Sequence, residues 1–327
     1  MTTTVALVAV PVGKRVLAWW VGDPPEENRR FLRRLDPTFF ETLYDQLGDI
    51  RNDRVGLLVQ THLRMLKDQA AEMLFALVLA SIQAPIAPAM WLTKYNNSEL
   101  QEMLEALVDG RQFLTQRGKI DHNWESVVDM YFQDLLLDDE SQRLNQRAAI
   151  VKFLQVLSGE YLKPTNLAEY NCSKHGLRIS PGHWVVSAGG KQQDGVKLEG
   201  SGYGTSFLIA DRLVEGEQHY QLIDHYRCWN PEAIHFQIQV MVALSKNIIT
   251  WLRQFNGDKN ATSWLVPDDP AVFDRCWEVR GDYEEFSYVR PDFRGAEIHL
   301  ANREELISMC HEKKPVILFG GGKSTVD

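Results

Sequence analysis

The residues with the most chemical promise lie in the segment 163–178, KPTNLAEYNCSKHGLR. Leu167, Asn171 and His175 are spaced by four, so on a helix they stack on one face. Pro164 suits a first helical position and Gly176 a stop, which puts His175 in the last turn. There the helix dipole favours the protonated imidazole, and the side chain is suited to act as a general acid or base or to hold a phosphate. Tyr170 and Lys174 flank the pair. The plainer alternative is that Asn171 and His175 satisfy helix-end carbonyls and pack the helix against its neighbours.

Three further groups bear on chemistry. His62, Gln69 and Glu72 fall on the stripe formed by Val55, Leu58, Met65, Leu66 and Met73. The run after Glu72 is apolar on every side, so its carboxylate is expected to be desolvated and to need a partner. It reads as a polar partner for His175, as a base in a cleft, or as a structural hydrogen bond. Arg29, Arg30, Arg33 and Arg34 form a basic cluster, read either as a phosphate-binding group or as a solvated face. His219, Gln221, Ile223 and His225 share one face of an expected strand, with Cys228 beyond it. The two histidines are too far apart along a strand to meet one ion, and the four cysteines show no C-x-x-C spacing. No metal and no cofactor is expected. The stretch before Lys323 imitates the end of a phosphate loop, but Ile317 stands where the pattern requires glycine.

The string Asn171-Cys172-Ser173-Lys174-His175, closing a helix that follows several longer ones, resembles the motif of the HEPN superfamily. Many members of that family are metal-independent ribonucleases built on a helical bundle. Their motif is an arginine, commonly followed by asparagine, a few residues before a histidine. The resemblance implies a bundle over residues 36–177, with Asn171 and His175 at the matching positions and the RNA 2′-OH as nucleophile. Tyr170 stands where the arginine is expected. A phenol donates one hydrogen bond but supplies no positive fork to a phosphate. Lys174 brings charge from a different place. The resemblance therefore implies a HEPN-like binding or interaction protein, of the kind acting in bacterial stress or defence. A metal-independent ribonuclease using His175 is the alternative. A third reading is an unrelated helical scaffold with a ligand site under the 189–204 loop.

The elements that must position these residues follow from caps and periodicity. Asp36-Pro37 opens a helix that stops at Gly48, and Asp53 caps a longer one running to Gln83, where Pro85 forbids continuation. Ser98 with Gln101 suggests a capping box for a helix to Gly110. Helices are expected over 124–137, 141–157 and 164–176, with Leu58, Met65, Met73 and Leu77 in a buried core. After Gly176 the period changes. Strands are expected at 183–187, 205–213 and 219–226, the first two separated by the glycine-rich 189–204. A helix then opens at Asn230-Pro231, with Ile234, Ile238, Met241, Ile248 and Leu252 on one face. A short helix at 303–310 and a strand at 315–319 follow. The first residues, 5–21, read as a hairpin around Pro11–Lys14. The expected architecture is α+β: a hairpin arm (1–35), a mainly helical bundle (36–177), and a small antiparallel sheet with an amphipathic helix (178–327).

Composition limits the partners. With 44% hydrophobic and 24% charged residues the chain can bury a core. The net charge of −9 works against a long nucleic-acid footprint. The expected partner is another protein or a second copy of the chain, with RNA disfavoured. Sparse cysteines and the absence of a convincing export signal suggest a cytoplasmic setting. No membrane span is expected, because the most apolar stretch, 70–92, contains Glu72, Pro85 and Pro88.

Overall fold

The computed structural model describes residues 6–48, 53–116, 118–120, 122–132, 139–174, 178–188, 198–212, 220–262, 267, 271–277 and 287–289. Its class is α+β: a mainly helical N-terminal region followed by a small antiparallel sheet and a long amphipathic helix.

A hairpin, β1 (Ala6–Val12) and β2 (Arg15–Val21), turns at Gly13, whose φ of +59° favours glycine. Val10 and Val12 are buried on its inner face, while Leu7, Val16 and Trp20 are exposed on its outer face. Helix α1 (Pro24–Leu32) is capped by Asp23, and α2 (Thr38–Gly48) begins where the Asp36 carboxylate accepts the Thr38 N–H at 3.0 Å.

Helix α3 (Asp53–Gln83) is the axis of the fold. Between Ala70 and Ala80 every residue except Glu72 and Met73 is buried. A helix apolar all round must be surrounded. Around it lie α2, α4 (Pro88–Lys94), α5 (Asn97–Val108), α7 (Glu140–Leu162), α8 (Pro164–Lys174), the hairpin and α9 (Pro231–Phe255). The α9 stripe of Ile234, Ile238, Met241, Ile248 and Leu252 is buried, as its period requires. The sequence groups α9 with the sheet, yet this helix lies along α3 in the helical core. Of the expected core residues Leu77 is buried, whereas Met65 and Met73 are only half-buried. The Leu58 side chain lies outside the described residues.

The end of α3 is fastened by Gln83, which is fully buried. Its Nε2 donates to the carbonyls of Gly13 (3.0 Å) and Leu114 (2.8 Å). Its Oε1 accepts the Gly13 N–H at 3.0 Å and the Trp91 indole N–H at 2.8 Å. One amide thus joins the first hairpin, α4 and a second small hairpin, β3 (Phe113–Thr115) and β4 (Gly118–Ile120).

Two helix boundaries differ from the sequence reading. The capping box of α5 is Asn96 with Glu99, not Ser98 with Gln101. Glu99 also takes the Arg15 guanidinium, which fixes its carboxylate where the Asn96 N–H can reach it. Helix α7 runs through Gly159 to Leu162, past the expected end at 157, and the burial of Tyr161 in the core offsets the glycine's low helix propensity. Helix α6 (Trp124–Phe132) forms where it is expected, and residues 133–137 lie outside the described residues, as do the helix and strand expected after 300.

The sheet has the order β5 (Ile179–Ala188), β6 (Leu198–Arg212), β7 (Tyr220–Cys228), β8 (Ser287–Val289), all antiparallel. Strand β6 begins well before Thr205. Gly200, Gly202 and Gly204 are therefore strand residues opposite Val186, Trp184 and Gly182, not part of a loop. Only 189–197 of the glycine-rich stretch remains, outside the described residues. Thr205 and Phe207 of β6 pair with Arg227 and His225 of β7, and all four side chains are buried. Helices α3 and α8 pack on β6.

Candidate functional site

Tyr170 and Lys174 are four apart on α8, so both side chains reach the same strip of α3. They meet Glu72 there. The Tyr170 hydroxyl donates to Glu72 Oε2 at 2.5 Å and Lys174 Nζ donates to the same oxygen at 2.8 Å. The Tyr95 hydroxyl, just after α4, donates to Oε1 at 3.3 Å. Lys174 Nζ also lies 4.1 Å from the centroid of the Tyr170 ring, a cation–π distance. Burial, reinforced by the adjacent carboxylate, pushes both phenols above the ordinary tyrosine range, so both remain donors at neutral pH.

This cluster forms the polar end of an open cavity of about 410 Å³. Phe31, Leu35, Phe39, Phe40, Met73 and Leu92 provide much of its apolar lining, from α1, α2, α3 and α4 and the link between the first two. Phe39 stays exposed and Met73 half-buried because they face this space. Volume, apolar walls and a few convergent polar groups are the attributes of a small-molecule site.

On the other side of α8, Glu169 is fully buried against the sheet. Its carboxylate accepts from Arg64 Nη2 at 3.2 Å, Arg227 Nη1 at 3.1 Å and the Thr205 hydroxyl at 2.9 Å. Arg227 also donates to Asn166, and the Arg64 guanidinium lies 5.8 Å from the Trp229 ring centroid. Burial alone would raise the Glu169 carboxyl, but the two guanidinium groups and Thr205 overrule it and hold it below its ordinary 4.5. Asp68, one turn along α3 from Arg64, goes the other way. Its burial outweighs the nearby cations and pushes its carboxyl above 3.8. This cluster docks the sheet onto α3 and α8, and its groups are spent on one another.

The structure thus brings Glu72, Tyr170 and Lys174 together, and Tyr95 joins them. His175, the intended partner of Glu72, lies outside the described residues, as does His219. Asn171 is exposed on α8, and His62 is exposed on α3, away from Glu72. The arginine cluster divides. Arg29 donates to Glu26 and to the Asn256 carbonyl, and Arg33 pairs with Asp258 at 3.2 Å, so these two hold α1 to the end of α9. Arg30 and Arg34 are exposed. His225 is buried and stacks on Phe207, with centroids 5.4 Å apart. The Glu169 cluster escaped the sequence reading. Arg64, Lys67 and Asp68 at i, i+3 and i+4 share one helix face, the spacing that a solvated charged face also shows, so spacing alone did not mark the cluster.

Among the described residues no helix is long and apolar enough to cross a membrane. No protein-family model matches this chain, and neither curated proteins nor solved structures provide a match.

Proposed function

We propose that this protein is a HEPN-like binding protein whose site is the cavity bordered by α1, α2, α3, α4 and α8. The carrying observation is that the Tyr170 hydroxyl and the Lys174 ammonium both end on Glu72 at the polar end of that cavity. Tyr170 stands at the motif's arginine position, and Lys174 is the nearby cation that could have made up for that arginine. A phosphodiester brought to them meets a carboxylate first, and like charges in close contact repel. The chain's net charge of −9 adds to that repulsion at long range. Binding, not phosphodiester cleavage, is what this arrangement favours.

The test has two arms. RNA cleavage is measured with the native protein, with Tyr170→Arg, which restores the family's arginine, and with His175→Ala. No cleavage above background is expected from any of them. In parallel, an uncharged environment-sensitive dye, N-phenyl-1-naphthylamine, is titrated into the native protein and into Met73→Trp, which fills the cavity. Saturable binding to the native protein and its loss in the variant are expected, with unchanged circular dichroism. Native cleavage that disappears in His175→Ala, or dye binding untouched by Met73→Trp, overturns the proposal.

A further inference from the structure

The polar end of the cavity has a definite charge and hydrogen-bond balance. Among the described lining residues only Glu72 and Lys174 carry charge, and they are paired at 2.8 Å. The two phenols are neutral. An ion entering this space sheds part of its water and meets no net countercharge, so it is disfavoured relative to a neutral molecule of the same shape.

Donors and acceptors are both present at this end. Glu72 already accepts three hydrogen bonds, and both phenolic hydrogens are spent on it. An ammonium has three N–H donors, and Lys174 directs one of them to Glu72. Its remaining donors border the cavity, as does the exposed amide of Gln69. The site is therefore electrically neutral, and its ammonium and amide donors stand beside acceptor lone pairs on the two phenols and the Gln69 carbonyl, a mix that suits a neutral polar head.

Resting on the binding reading above, we infer that the cavity takes an uncharged molecule with an apolar body and a hydrogen-bond-accepting head. A hydroxyl or carbonyl is the matching head group. The head lies at Lys174 and the body among Phe31, Phe39, Phe40 and Met73. Carboxylates and amines with the same body are discriminated against.

The experiment uses three probes that share one chain, namely octanol, octanoate and octylammonium, in displacement of the apolar dye from the native full-length protein. Octanol is expected to displace dye at a concentration about tenfold lower than either ion, equivalent to about 1.4 kcal/mol. The charge balance is then shifted in each direction. Glu72→Gln leaves Lys174 uncompensated and should move the preference to octanoate. Lys174→Met leaves Glu72 uncompensated and should move it to octylammonium. Each variant is checked by its melting curve, and the native series is decisive without them. A native preference for either ion, equal displacement by all three, or variants that fold and do not change the order would overturn the inference while leaving the cavity as a binding site. Dye bound and displaced by none of the three probes would also overturn it. Failure of the native protein to bind dye removes the binding reading itself.

Discussion

Replacing Glu169 by glutamine removes one charge and almost no volume, so it isolates the electrostatic part of the buried cluster. In the native protein the carboxylate compensates Arg64 and Arg227, whose side chains are 4% and 6% exposed, and solvent screening of them is slight. Breaking a buried pair by neutralising one partner costs about 3–5 kcal/mol, mostly the cost of the stranded charge. Two guanidinium groups depend on this carboxylate, so the upper part of that range applies. A domain has about 5–15 kcal/mol of stability in all, and the loss is large enough to read in urea denaturation followed by circular dichroism. The pH dependence provides an internal control. Because Glu169 is held below 4.5 in the folded protein, its contribution is present above that value and is lost as pH falls through the folded one. The gap between native protein and variant should be full near neutrality and should close in acid, where the native carboxyl is protonated too. A gap under about 1 kcal/mol at neutrality, or one that persists unchanged in acid, would refute the reasoning.

Three other substitutions follow from the same structure. Asp68→Asn should raise the melting temperature at neutral pH. The Asp68 carboxyl is raised above 3.8, so its folded-state advantage is full below that value and lost as pH rises through the folded one; melting curves of the two proteins should coincide in acid. Gln83→Leu strands the Gly13 and Trp91 N–H groups, at about 1–3 kcal/mol each, for a loss of about 2–6 kcal/mol in chemical denaturation. Tyr170→Phe removes one hydrogen bond to the charged Glu72 and should cost about 1.5–3 kcal/mol by the same measurement, with dye binding retained.

Helix positions were legible where a local signal decides them. Asp36, Asn230 and Pro85 act through their own backbone neighbourhood, and the α9 stripe repeats at the helical period over its whole length. Boundaries that depend on distant partners were not. Asn96 wins over Ser98 as the α5 cap because Glu99 is also held by Arg15 of the first hairpin. The early start of β6 depends on pairing with β5, which a glycine-rich string does not announce. In the candidate site Glu72, Tyr170 and Lys174 stood out singly, since an acid in an apolar helix and a polar helix end are local anomalies. Their pairing joins residues about a hundred positions apart, and no local pattern marks the phenylalanines of the cavity wall. Glu169 sits in a polar segment, where no local feature marks it. Only the sheet, brought over α8 by the fold, buries it.

The four bonds of Gln83 also set a timetable. Gly13 and Leu114 lie about a hundred residues apart, and synthesis at about 5–20 residues per second separates their appearance by roughly 5–20 s. During that interval the first hairpin has no anchor in the second, and it carries apolar side chains on both faces: Val10 and Val12 within, Leu7, Val16 and Trp20 without. An unpaired two-stranded ribbon of this composition is a ready template for pairing with other chains. The nascent chain is therefore most vulnerable to aggregation early, well before the cavity exists, and production of the protein should depend more on chaperone capacity during translation than on the stability of the finished fold.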